Sequence, residues 1–118
     1  MINLPIFRAK KLGSHEYVTG LLSHTIESEN VIGINTEYGV AFCDTTTLSI
    51  HFPNMVDSQG NKIFASLSEN GKGGDIIETE FKKICTTKYK EYFFYADNKD
   101  YHCNCFGFKH SKTIGIQQ

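Results

Sequence analysis

Apolar residues along this chain fall in short clusters separated by turn-forming residues, and that spacing predicts a succession of short β-strands. Ile6-Phe7-Arg8-Ala9 reads as the first. Gly13-Ser14 supplies a turn before a second at Glu16 to Leu22. Ile26, Val31-Ile32 with Ile34, and Val40 to Cys43 predict two or three more, broken at Glu29-Asn30 and Tyr38-Gly39, in the spacing of an antiparallel meander. Thr45 to Phe52 is rich in β-branched and aromatic residues and predicts one further strand. Pro53-Asn54 ends it, because proline has no N–H to give to a ladder.

Asp57 to Lys62 has turn chemistry, since Asp, Ser, Gly and Asn each satisfy or bend the backbone locally. Ile63, Phe64 and Leu67 share one side of a helical turn, with Asn70-Gly71 as its stop, and this is the one short helix the pattern predicts. A strand resumes at Ile76 to Phe81, and Lys83 to Thr86 either extends it or begins the next. Lys90 to Ala96 is the strongest strand signal, because four consecutive aromatics at Tyr92-Phe93-Phe94-Tyr95 need a sheet covered on both faces or an oligomer contact. Asp97 to Asp100 is a hairpin turn and Tyr101 to Phe108 its returning partner.

No repeat or linker divides the 118 residues, a length suited to one domain that buries a sizeable core. With 40% hydrophobic and 21% charged residues the composition is that of a globular chain. Nine Phe and six Tyr strengthen the β expectation. Twelve basic and thirteen acidic side chains leave a net charge of −1, so binding to nucleic acid or anionic lipid requires a local patch. The N-terminal residues lack the pattern of a secretion signal, and no apolar run approaches the ~18 to 20 residues of a membrane span. The expected compartment is the cytoplasm. There Cys43, Cys85, Cys103 and Cys105 are reduced thiols.

Asp57-Ser58-Gln59-Gly60-Asn61-Lys62-Ile63-Phe64, followed closely by Gly73-Gly74-Asp75-Ile76-Ile77, resembles the signature of the YopX-like family of small phage and prophage proteins. In that family an Asp-x-x-Gly-x-x-Ile-aromatic segment leads into Gly-Asp-Ile and a strand. Phe7-Arg8-Ala9 is similar to the way its members begin. The resemblance covers Phe7 to Ile77 loosely and is specific between Asp57 and Ile77. Ser66 to Gly73 stands as an insertion against the family pattern, and its polar, glycine-rich makeup predicts an exposed, mobile loop. The family's biochemical role is unassigned, so the resemblance implies a phage or mobile-element origin and a fold. Together with the strand pattern it predicts a single mostly β domain: a small SH3-like or related partly open β-barrel, extended by the N-terminal β-meander, with at most one short helix.

Candidate chemistry is sparse. His102, Cys103, Cys105 and His110 are zinc-type ligands, but on a strand Cys103 and Cys105 share one face while His102 points to the other. Small buried apolar groups are the competing reading of those cysteines. Lys72 is followed by Gly73 instead of the Ser or Thr of a phosphate-binding loop, and Asp57 to Asn61 lacks the alternating ligands of a calcium loop. No catalytic motif is recognisable, and no cofactor is implied. Two function classes remain. The first is a non-catalytic module that binds a protein partner or itself, as a homo-oligomer, through Tyr92, Phe93, Phe94 and Tyr95. The second is a nucleic-acid-binding barrel using Lys82, Lys83, Lys88 and Lys90 with Tyr89 and Tyr92, where cations interleave with aromatics able to stack on bases.

Overall fold

Residues 4–28, 30–91, 93–104 and 108–118 are described by a computed structural model. Its strands are β1 (Ile6–Lys10), β2 (Tyr17–Ser28), β3 (Val31–Thr36), β4 (Gly39–Asp44), β5 (Ser49–His51), β6 (Ala65–Ser66), β7 (Asp75–Glu78), β8 (Ile84–Lys90), β9 (Phe93–Asn98), β10 (Tyr101–Asn104) and β11 (Lys112–Ile116). They form one sheet in the order β10-β9-β8-β6-β5-β1-β2-β3-β4, with β7 paired off this path to β8 and β11. The path does not close, and the fold is mostly β, of the partly open barrel type expected. The meander β1 to β4 continues the same sheet. Among the described residues the only helical segments are two 3-10 turns, Thr45–Thr47 and Phe108–His110.

Two hydrophobic cores lie along this sheet. Ala9, Ile34, Cys43 and Leu48 are buried in the first, with Phe7, Val18, Ile32 and Ala41 packed against them. Met55, Ile63, Ile77, Cys85, Ala96 and Phe108 form the second, flanked by Phe52, Phe94 and Tyr101. β1 joins the two, because its residues alternate between faces: Ala9 enters the first core while Arg8 is buried on the other side.

Four expectations are corrected. Thr45 to Phe52 is not one strand, since the Asp44 carboxylate accepts the Thr46 N–H at 2.9 Å and caps a 3-10 turn before β5 begins. The helical turn from Ile63 to Leu67 is absent. That segment is extended, and β6 within it pairs antiparallel with β5 and parallel with β8, so tertiary pairing overrides a local pattern that one helical turn also satisfies. Ser66 to Gly73 is exposed only in part: Leu67, Glu69 and Asn70 face solvent, but the Ser66 hydroxyl donates to the Lys72 carbonyl at 2.8 Å, and Gly71 and Gly73 are buried. Gly73 has φ 83°, and a Cβ there would overlap the Thr47 carbonyl oxygen, so the chain at this point is packed down where only glycine fits. Finally, Lys90 to Ala96 is interrupted. β8 ends at Lys90, Glu91 turns the chain at φ 51°, and β9 starts at Phe93.

Candidate functional site

β8, β9 and β10 form an antiparallel ribbon at one end of the sheet, and pairwise register decides what each face carries. Lys90 lies opposite Phe93, Tyr89 opposite Phe94, Lys88 opposite Tyr95, and His102 opposite Asp97. Alternation along the strands therefore sorts the aromatic run into two sets. Tyr89 and Phe94 turn inward, where their rings lie 4.6 Å apart and pack with Phe52 at 5.9 Å and 5.3 Å. Phe93 and Tyr95 turn outward beside Lys88, Lys90, Asp97 and His102. Tyr95 stacks on His102 with ring centroids 5.2 Å apart, and Phe93 remains 70% exposed. A shallow concavity of about 350 Å³ lies between Lys90, Glu91, Phe93, Tyr95, Asp97 and His102.

Charge on this face is locally balanced. Lys88 Nζ sits 2.8 Å from Asp97 and Lys90 Nζ 2.9 Å from Glu69. The hydrogen bond to Glu69 raises the pKa of Lys90, and the same contact lowers that of Glu69. Lys82 and Lys83 belong elsewhere: they sit in the turn before β8, where the Lys82 ammonium is 3.7 Å from Glu78. Along an extended strand, Lys83 and Lys88 are separated by about 17 Å. The proposed nucleic-acid set is thus divided, with Lys88 and Lys90 outward, Tyr89 inward, and Lys82 and Lys83 at the far end. Of the proposed protein-interaction set, Phe93 and Tyr95 share the outer face and Phe94 belongs to the core. Tyr92, common to both sets, lies outside the described residues.

For the candidate metal ligands, Cys105 lies outside the described residues, while His102 is held in the Tyr95 stack and His110 is exposed at the end of the second 3-10 turn. Among the described residues no group of three or more His, Cys, Asp or Glu side chains is arranged to hold a metal ion. Cys43 and Cys85 are buried thiols, and burial pushes the Cys43 thiol up in pKa.

β1, the segment at Phe64 and the start of β7 meet at a buried ionic junction that sequence reading did not single out. Arg8 Nη2 donates to Asp75 Oδ1 at 2.8 Å and to the Gly73 carbonyl at 2.9 Å, with its guanidinium over the Phe64 ring at 4.6 Å. Asp75 Oδ2 accepts the Phe64 N–H at 2.9 Å, and the Thr87 hydroxyl donates to the carbonyl oxygen of Asp75. Burial pushes the Asp75 carboxyl up in pKa against the opposing pull of Arg8 and the Phe64 N–H. Asp57 sits in a different setting. Its carboxylate accepts the N–H groups of Gln59, Asn61 and Thr113, tying the turn to β11. Burial alone would raise its pKa, but these donors outweigh that and bring it down to about 2. Both acids thus work as structural anchors. The signal present in the sequence was the pairing of an arginine inside an apolar strand with an aspartate opening another, since a buried charge needs a partner.

Comparison with protein-family models, with curated proteins and with solved structures found no match in any of the three.

Proposed function

We propose that this protein is a non-catalytic interaction module, of phage or mobile-element origin and acting in the host cytoplasm, that binds a protein partner or a second copy through the outer face of β8 to β10. The observation that carries this reading is Phe93, a large apolar side chain 70% exposed beside the Tyr95–His102 stack although the neighbouring core is completed by Tyr89, Phe94 and Phe52. A phenylalanine that contributes little to its own core is available to an interface, where aromatic residues are enriched and polar residues form the rim. Lys88, Lys90, Asp97 and Glu69 supply such a rim.

A second reading rests on the same face. Lys88 and Lys90 beside Phe93, Tyr95 and His102 combine cations with stacking surfaces, as single-strand binders do. Against it, each lysine is already neutralised by its own carboxylate.

The test places a photo-crosslinking phenylalanine analogue at position 93 in cells, with position 99 in the β9–β10 turn as the exposed control, and determines solution molar mass over a dilution series. A discrete protein adduct, homodimer or heterodimer, at position 93 and not at position 99 is expected. Identical adduct patterns at both positions sink the interaction reading. Adducts to nucleic acid, with fluorescently labelled single-stranded DNA binding that weakens steeply with salt, transfer the face to the second reading.

A further inference from the structure

At the opposite end of the sheet path from β10, the terminal strand β4 meets the backbone of the β1–β2 hairpin, among the described residues, at one place. Lys11 bridges to Cys43, and the Leu12 N–H donates to the Phe42 carbonyl at 3.1 Å. This second contact shows that the backbone polar groups of Phe42 point away from β3. Alternate residues of a strand direct these groups the same way, so the N–H and C=O of Val40 also point outward. Beyond Leu12 the hairpin turns away through Gly13 at φ 68° and returns as β2. The parted strands leave an open groove of about 800 Å³, with Leu12, Tyr17 and Val18 opposite Tyr38, Val40 and Phe42. Leu12, Tyr38, Val40 and Phe42 are between 42% and 92% exposed. A strand edge bordered by four exposed apolar side chains has the two components of strand addition: main-chain groups for affinity and side-chain pockets for specificity.

The ends of the groove differ in charge. Glu37 lies at the Tyr38 end. At the other end the groove meets a second concavity of about 310 Å³ lined by Lys10, Lys11 and His15 together with Asp44. The Asp44 carboxylate is already engaged by the Thr46 hydroxyl at 2.7 Å and faces Lys72 at 3.9 Å. Lys11 is 3.7 Å from Glu16 in an exposed pair, and Lys10 forms no ion pair among the described residues. Glu16 also lines the groove here, so Lys10, Lys11 and Lys72 stand against Asp44 and Glu16, and this end keeps a single net positive charge, carried by Lys10.

We propose that the groove binds an extended peptide segment of a protein partner, which adds to β4 as a further strand, seats an apolar side chain between Leu12 and Val40, and directs acidic residues to Lys10, Lys11 and His15. The site is independent of the β8–β10 face.

The test is a titration of the ¹⁵N-labelled full chain with a capped Glu-Glu-Val-Thr-Val-Thr probe, followed by amide shifts, with Lys-Lys-Val-Thr-Val-Thr as the charge-reversed control. Saturable shifts at Leu12 and across 39–42 are expected, with the control about five- to tenfold weaker, the size of two exposed charge pairs. Lys10→Glu with Lys11→Glu is expected to reverse that preference. Val40→Pro, which removes an outward N–H while leaving the β3 ladder, is expected to abolish binding in a variant shown folded by its amide spectrum. Shifts mapping to β9 and β10, equal affinity for both probes, or no binding of the acidic probe overturns the proposal. Concentration-dependent shifts at the same amides without peptide also overturn it, by assigning the groove to a second copy of the chain.

Discussion

Replacing Asp75 by Asn is the most informative perturbation of the fold, because it removes one charge from a pair whose side chains are 10% and 3% exposed. The asparagine carbonyl can still accept the Phe64 N–H, but its amide faces the Arg8 guanidinium, leaving a buried cation without a counter-charge. Breaking a buried pair from one side costs about 3 to 5 kcal/mol. With an unfolding entropy of about 0.25 kcal/mol/K for a chain of 118 residues, the melting temperature falls by roughly 12 to 20 °C. The second arm adds Arg8→Met. Methionine removes the orphaned cation and retains apolar contact with Phe64, at the loss of a charged, buried hydrogen bond to the Gly73 carbonyl that contributes about 1.5 to 3 kcal/mol. The double variant is therefore expected to be more stable than Asp75→Asn alone. Urea and thermal unfolding of wild type, both single variants and the double variant measure this as a cycle. A loss below about 1 kcal/mol for Asp75→Asn, or a double variant weaker than that single one, refutes the uncompensated-charge argument.

The Asp57 carboxyl has its pKa lowered from 3.8 to about 2 in the folded protein, so its ionised form favours folding. The sign follows: this contribution is complete above about pH 4 and is lost as pH falls through 2, and the shift corresponds to roughly 2 kcal/mol. Urea midpoints of wild type and Asp57→Asn at several pH values are expected to converge by that amount in acid, and a pH-independent gap contradicts the assignment. Lys82 adopts φ 63° without the freedom of glycine. Lys82→Gly is expected to raise stability by up to about 1 kcal/mol, because relief of left-handed strain exceeds the added chain entropy. A lowered melting temperature argues against it.

The strands built from local alternation were legible in the sequence. Ile6 to Ala9 and Val40 to Cys43 stand where the pattern puts them, because each is specified by its own residues and adjacent turn chemistry; the β9–β10 hairpin is also there, but Asp97 and Asn98 belong to β9 and Phe108 to a 3-10 turn instead of the returning strand. What was hidden depends on distant partners. Ala65–Ser66 is a strand because β5 and β8 occupy its edges, and β11, which the pattern did not suggest, exists because β7 offers it a ladder. The aromatic run was visible as surface-forming residues, but its division into inward Tyr89 and Phe94 and outward Phe93 and Tyr95 depends on cross-strand register. The groove at β4 was illegible for the same reason: Leu12 and Phe42 meet only after the meander has curled.

Arg8 reaches a carbonyl and a carboxylate 65 and 67 residues further along the chain, and Asp57 holds a backbone N–H 56 residues on, in the last strand. During synthesis the meander from β1 to β4 can pair as it emerges, since its contacts are close in sequence. The central strand nevertheless carries an unneutralised arginine until Asp75 has left the ribosome, and the Asp57 turn lacks its tether until Thr113 follows. Non-local closures of this kind slow folding because chain entropy is lost before the contacts form. The nascent chain therefore has a built-in waiting period, with the β4 edge formed early and the junction sealed late, in which a chaperone or a premature partner has access to strands that the finished protein hides.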